Sequence, residues 1–298
     1  VASSGAEPGD GVLRERLAVL GSPIAHSRSP AIHSAAYEVL GLDWDYGSRR
    51  LEADGLRGFL RSCGPEWRGF SLTMPLKEEA HRIASVLDPV AEESGVVNTL
   101  LRIASGVDGV PRWAGFNTDV AGLAAAIRDA GLDATSTIVI GSGATAVSAI
   151  LAARRLGAAL VTVLARNLEA GSGLAERFRG TREPGSATAL EVEARGLEST
   201  APPATLVIST LPGPAGDALQ LPARITSIPL FDVAYDPWPS PLAERWRAAG
   251  GEAHPGTAML VEQAVIQIRV FANGDPGSPL ADEDRVRDAM QHAAARSL

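Results

Sequence analysis

Residues 137–157 read TIVIGSGATAVSAILAARRLG: an apolar run, then Gly141, Gly143 and Ala146 in the spacing G-x-G-x-x-A, then a helical pattern ending at Gly157. In such a turn the first glycine permits the tight bend and the second lets the backbone approach a pyrophosphate. A small third residue allows close helix–strand packing, with the helix N-terminus facing the anion. A glycine fingerprint alone is weak, and an ordinary βα turn is the competing reading; between a strand and a helix inside a βαβ unit it is stronger. The same alternation runs through the chain. Runs rich in Val, Ile and Leu at 16–21, 69–74, 136–141, 160–166, 205–210 and 229–235 are separated by stretches with apolar spacings near three and four, such as Val120, Leu123 and Ile127. Strand–helix–strand repetition predicts an α/β fold, a mostly parallel sheet with helices on both faces.

The strand after the fingerprint discriminates between dinucleotides. An NAD site ends it with Asp or Glu to hold the ribose 2′-hydroxyl, whereas this strand ends in VLARN, with Arg166 at that place. A guanidinium suits a 2′-phosphate, and Asn167 is a neighbouring donor, so the cofactor expected is NADP.

With 298 residues, 45% of them apolar, the chain can bury two cores, and two domains are expected. The segment at 115–131 reads as a connecting helix with Thr118 as N-cap, Asp119 in the first turn and Gly131 at its end. The domain boundary is placed at its start. The Gly/Ser/Thr/Pro-rich stretch 171–203 is the least structured part of the second half, apart from a helical GLAERF. A net charge of −8 excludes a polyanion-binding surface, so the partner expected is a small molecule and not nucleic acid. Residues 1–15 are polar, lack a signal-peptide core and are expected to be disordered. No run reaches the roughly 18 apolar residues of a membrane span, which gives a soluble, cytoplasmic reading. The single cysteine, Cys63, has neither a disulfide partner nor a zinc-type cluster and reads as a small packed residue; no metal is expected.

Lys77, in SLTMPLKEEA at 71–80, is the chain's sole lysine, beside an otherwise all-Arg basic set. Codon bias explains an Arg-rich surface but not its one exception; a compact, titratable ammonium that Arg cannot replace points to chemistry. Pro75 suits the first helical position, which puts Lys77 in the first turn, where the positive end of the helix dipole disfavours a cation. SPIAHSRSP at 22–30 sets Ser27 and Ser29 two apart, so an extended loop would direct both hydroxyls at a carboxylate; turn-forming serines before Pro30 are the alternative. VVNTL carries Asn98 and FNTD carries Asn117 and Asp119, in a chain with four asparagines. Asp119 at a helix N-terminus could simply favour the dipole. Paired with a lysine across a cleft, it forms a proton-transfer couple able to serve a carbonyl or alcohol exchanging hydride with a nicotinamide.

The set GSPIAHSRSPAIH, SLTMPLKEEA, GVVNTL, FNTD, GSGATA, ARN, YDPWPSPLA and GTAMLVEQA resembles, in order and approximate spacing, the shikimate dehydrogenase family, and most of all its actinobacterial branch. The resemblance covers about residues 16–272. It implies two domains, an α/β substrate-binding domain of residues 1–118 completed by helices from 257–298, and a Rossmann NADP-binding domain of 119–256, with a catalytic cleft between them. It further implies that Ser27 and Ser29 bind the substrate carboxylate, that Lys77 exchanges the proton with Asp119 as partner, and that Thr73, Asn98 and Gln263 bind substrate hydroxyls. Tyr235 would lie near the substrate. Gly256 and Met259 would line the nicotinamide pocket, and Gly141, Ser142, Gly143, Ala144 and Arg166 would hold the rest of NADP. The implied activity is reversible NADPH-dependent reduction of 3-dehydroshikimate to shikimate, on the route to aromatic amino acids, by a monomer or homodimer. Ser71 replaces the family's frequent Asn, Ala165 replaces the Asn before the selector Arg, and Ser209, Thr210 and Leu211 replace Asn-Ala-Thr. Members that accept quinate often carry Thr at the second serine position or an acid at the selector, so Ser29 and Arg166 favour shikimate with NADP. A broader quinate/shikimate enzyme and a non-catalytic binder are the rival readings. His26, His33, His81 and His254 are expected in structural or surface roles.

Overall fold

The computed structural model describes residues 14–296 except 107, 200–201, 218, 220–221 and 223. The expected disordered tail lies outside the described residues up to position 13, but its last residue, Glu15, opens the first strand.

The first half comprises β1 (Glu15–Gly21), α1 (Ser29–Leu40), β2 (Trp44–Arg50), α2 (Ala53–Arg61), β3 (Trp67–Leu72), α3 (Lys77–Ile83), β4 (Val86–Leu87), α4 (Pro89–Ser94), β5 (Thr99–Ile103) and β6 (Arg112–Phe116). Its six strands form one sheet in the order β2-β1-β3-β5-β6-β4. β1 runs parallel to β2 and β3, whereas β5 is antiparallel to both β3 and β6. Helix α5 (Asp119–Asp129) leads into β7 (Ser136–Ile140), α6 (Ala144–Arg155), β8 (Leu160–Leu164), α7 (Leu168–Phe178), β9 (Glu191–Arg195), β10 (Leu206–Ser209), β11 (Leu230–Asp232), α8 (Pro241–Ala248) and β12 (Ala253–Pro255). This second sheet, β12-β11-β10-β7-β8-β9, is parallel throughout. Its first strand lies at the centre, and the order in which strands are added reverses between β7 and β10, the switch point at which doubly wound sheets open a crevice. Finally α9 (Thr257–Asn273) and α10 (Glu283–Arg296) return to the first sheet, where Val261, Val265, Ile268 and Met290 pack with Leu17, Ile32 and Tyr46.

The apolar runs become the interior strands because both faces of a parallel sheet are covered, so Ile138–Ile140 and Val163–Leu164 are buried. Strands without such runs escape that signal: β2 reads WDYGSRR at the sheet edge, and β9, EVEAR, is an edge strand inside the stretch expected to be unstructured. On α6, Ala146, Ala149, Ala152 and Ala153 are fully buried, so the helix lies close on its sheet. Gly141 has φ +119°, and a Cβ there would lie 2.3 Å from the Thr210 hydroxyl, so the fingerprint turn requires glycine on two grounds.

Several contacts tie the halves together, two of them close. Arg154 on α6 is buried and reaches the Glu93 carboxylate on α4 through two hydrogen bonds of 2.6 and 2.8 Å. Helix α5 crosses α9 so closely that a Cβ on Gly122 would lie 2.5 Å from the Gln263 backbone nitrogen. Asp119, one turn before Gly122 on the same helical face, is thereby brought beside Gln263.

Candidate active site

A cleft of about 730 Å³ is lined by residues beyond the carboxyl ends of β1, β3, β7, β10 and β11, together with Asp119 on α5 and Met259, Gln263 and Gln267 on α9. Its size is that of a small-ligand site. Of the residues singled out from sequence, Ser27, Ser29, Thr73, Lys77, Asn98, Asp119, Gly141, Ser142, Gly143, Ala144, Tyr235, Gly256, Met259 and Gln263 all line it, although they come from positions 27 to 263. Arg166 and Asn167 do not. They follow β8, one strand outward from the switch point, and both are exposed. Asn167 is the N-cap of α7, its Oδ1 accepting from the Ala170 N–H at 3.1 Å, so only its Nδ2 can act as the donor anticipated.

The local backbone differs from expectation at three of these positions. Ser27 and Ser29 do not share an extended loop: Arg28 between them has φ −84° and ψ −7°, and Ser29 is the first residue of α1. The Ser29 N–H donates to the Ser27 hydroxyl at 3.3 Å, and this turn sets both side chains in the cleft wall. Pro75 is not the first helical residue. The Leu76 N–H closes a turn onto the Thr73 carbonyl, the Met74–Pro75 bond is cis, and α3 begins at Lys77 itself. Thr118 occupies the N-cap of α5, but its side chain makes no cap bond because its hydroxyl meets Asn98 at 2.9 Å. The Asp119 N–H is instead satisfied by Asn117 Oδ1 at 3.0 Å.

Lys77 Nζ donates to Asp119 Oδ2 at 2.6 Å, with side chains only 12% and 6% exposed, so solvent screens the pair weakly. The other carboxylate oxygen accepts from Asn98 Nδ2 at 2.8 Å. Asn98 Oδ1 accepts from the Thr118 N–H at 2.9 Å and the Thr99 hydroxyl at 2.8 Å, which orients the amide without ambiguity. Asp119 is thus held on both oxygens. An ammonium has three donors, so Lys77 keeps two for a ligand oxygen. Burial pushes the Tyr235 phenol up, only partly opposed by the nearby Arg28, and it stays a neutral hydrogen-bonding group.

On the cofactor side, the Gly141–Gly143 turn ends at the N-terminus of α6, where Gly143 is the N-cap. A Cβ on Gly143 would meet nothing within 4 Å, so the turn faces open space beside unpaired helical N–H groups. These residues fit the phosphates of a dinucleotide.

Gln267, and a part for Ser71, were not anticipated, yet both residues line the cleft. Their periodicity offered a signal: Ser71 is two residues before Thr73 on a strand, and Gln267 one helical turn after Gln263. His33 is fully buried and hydrogen-bonded to Gln267, whereas His26 is exposed at the cleft wall. Cys63 is buried and its thiol is pushed up to about 11 by desolvation. Among the described residues no helix is long and apolar enough to cross a membrane.

Comparison with known proteins follows this geometry. The family model for the shikimate dehydrogenase substrate binding domain matches residues 19–100. A shikimate dehydrogenase (NADP(+)) of Anaeromyxobacter sp. (strain Fw109-5) is 33% identical over 257 residues, covering 85% of this chain and 89% of that one. The crystal structure of Mycobacterium tuberculosis shikimate dehydrogenase superposes with a TM-score of 0.76 at 35% identity, covering 95% of this chain and 99% of that one. The shikimate 5-dehydrogenase of Thermus thermophilus, in complex with NADP(H) and shikimate, gives a TM-score of 0.77 at 31% identity, covering 95% and 100%. With its two parallel-rich sheets, its glycine turn and its buried lysine–aspartate pair, this chain belongs to the shikimate dehydrogenase family.

Proposed function

We propose that the protein catalyses the reversible NADPH-dependent reduction of 3-dehydroshikimate to shikimate, a step toward aromatic amino acids. The observation that carries this reading is the Lys77–Asp119 pair, 2.6 Å apart in a cleft that also contains the glycine turn. Residues 1–118 with 257–298 form the substrate domain and 119–256 the NADP domain, acting in the cytoplasm as a monomer or homodimer.

Bound NADPH supplies hydride to the C3 carbonyl carbon of the substrate. Lys77 gives its proton to the oxygen on which negative charge develops, and Asp119 steadies the ammonium before transfer; in the oxidative direction Lys77 takes the hydroxyl proton. Ser27 and Ser29 hold the substrate carboxylate, and Thr73, Asn98 and Gln263 hold its hydroxyls, with Tyr235 beside them. Gly141, Ser142, Gly143 and Ala144 accommodate the phosphates, Gly256 and Met259 the nicotinamide, and Arg166 with Asn167 the 2′-phosphate. Arg fails in place of Lys77 because a permanently protonated guanidinium is a poor proton shuttle.

The deciding experiment is the initial rate of NADPH formation from shikimate and NADP+, with quinate and NAD+ as the alternative pair. Turnover confined to shikimate and NADP+ is expected. Faster turnover of the alternative pair would refute the specificity assigned to Ser29 and Arg166, and none with either pair would indicate a binding protein.

A further inference from the structure

Behind the cleft lies a buried polar cluster that the proposed chemistry leaves unused. His33 and Tyr37 on α1, Tyr46 on β2, Ser71 on β3, Thr99 on β5 and Gln267 on α9 are each at most 6% exposed. So many polar groups in one core are tolerable only when mutually satisfied. Their hydrogen bonds can be followed in one direction. The Thr99 hydroxyl gives its single proton to Asn98 Oδ1 at 2.8 Å, so toward Gln267, 3.1 Å away, it can only accept. Gln267 Nε2 is therefore the end facing Thr99, and it also donates to the Asn98 carbonyl at 3.2 Å. That leaves Gln267 Oε1 facing the Ser71 hydroxyl at 2.8 Å and His33 Nε2 at 3.3 Å. An amide oxygen cannot donate, so His33 carries its proton on Nε2 and accepts from the Tyr37 hydroxyl on Nδ1, at 3.2 Å. The Tyr46 hydroxyl donates to Ser71 at 2.6 Å.

Every donor in this chain points toward Asp119. Tyr37 donates to His33, Tyr46 to Ser71, both of these to Gln267, Gln267 to Thr99, Thr99 to Asn98, and Asn98 to the carboxylate that receives Lys77. We propose that Gln267 is a positioning residue for the Lys77–Asp119 pair: it links the buried His33–Ser71 cluster to Thr99 and Asn98, and so orients the amide that holds Asp119. Aligned hydrogen bonds polarise one another, and the last donor, Asn98 Nδ2, meets the carboxylate. Gln267 approximates Met in shape, so Gln267→Met removes both polar ends while filling the same space.

This inference rests on the proposed reaction, and its test separates the two. Because Lys77 is the sole lysine, protein labelled with 15Nζ-lysine carries one side-chain ammonium signal, readable without substrate or cofactor. Gln267→Met is expected to move that signal and to lower kcat about 10- to 100-fold, with KM for shikimate within threefold. Thr99→Val interrupts the same path and should give a similar loss. In the double variant the losses should be far less than multiplicative, as expected of groups acting through one chain. Ile268→Val, one methylene removed on the same helix but outside the chain, controls for loosened packing and should leave the signal in place. An unmoved Nζ signal with unchanged kcat in Gln267→Met, or fully multiplicative losses, would overturn the assignment. Should Gln267→Met fail to fold, Thr99→Val read by the same signal decides alone. Wild-type protein inactive with shikimate, yet with an Nζ signal that moves in either variant, would count against the reaction and keep the positioning role.

Discussion

The Lys77–Asp119 pair inside the cleft and Arg166 outside its wall are built on different principles. At the proposed proton-transfer pair Asp119 is 4% exposed, both its carboxylate oxygens and its backbone N–H are engaged by protein groups, and its partners come from α3, the turn before β5 and the turn between β6 and α5. Arg166, the proposed cofactor selector, is exposed and makes no ion pair with the described residues. The first arrangement is made by protein groups alone, which hold the pair in place as charge develops. The second is left to solvent or to what binds there. On the proposed roles, substitutions at these two places should fail in different ways.

The largest effect is expected at the enclosed pair. Lys77→Ala should lower kcat by about 10²- to 10⁴-fold, the usual range for removing a general acid–base group, with KM for shikimate changed far less. An unchanged kcat in steady-state assays would remove the basis of the comparison. Gly122→Ala tests the packing that brings Asp119 to Gln263. Its methyl would press on the α9 backbone and cost about 1–3 kcal/mol of stability; denaturant unfolding at wild-type stability would show that the helices yield. Arg166→Ala should raise KM for NADP+ about 10-fold, the weight of a charged hydrogen bond, while leaving KM for NAD+ and kcat with NADP+ nearly as they were. Equal effects on both cofactors would place selectivity elsewhere.

A smaller effect separates the enclosed region by pH. Desolvation lowers the His33 imidazole from its ordinary 6.5 to about 3, despite the opposing hydrogen bond with Gln267. The unfolded chain therefore takes up this proton near pH 6.5 while the folded chain stays neutral. Stability is full above that value and is lost progressively as pH falls from 6.5 toward 3. Between pH 7.5 and 6 this one group should withdraw about 0.8 kcal/mol, and His33→Phe should remove that part of the pH dependence. Identical slopes in urea titrations of the two proteins would mean that His33 protonates within the fold.

Much of this plan was legible along the chain. The glycine turn, the sole lysine and the VLARN strand end are each contiguous signals, and interior parallel strands announce themselves as unbroken Val/Ile runs. Edge strands β2 and β9 do not, because half-exposed edges need no such run. Gln267, and the part played by Ser71, were missed for a different reason. Either side chain alone is unremarkable, and their meaning lies in facing each other across a separation of 196 residues.

The amino-acid sequence by itself therefore determined the α/β class, the glycine turn between strand and helix and the sole lysine proposed as proton carrier, since each depends on residue type and near-neighbour spacing. Only the tertiary structure decided which amide faces Asp119, how α5 meets α9 at Gly122, and that Arg166 stands outside the cleft wall. Those outcomes depend on hydrogen-bond direction and close contact between distant segments, and neither is set until the chain has folded.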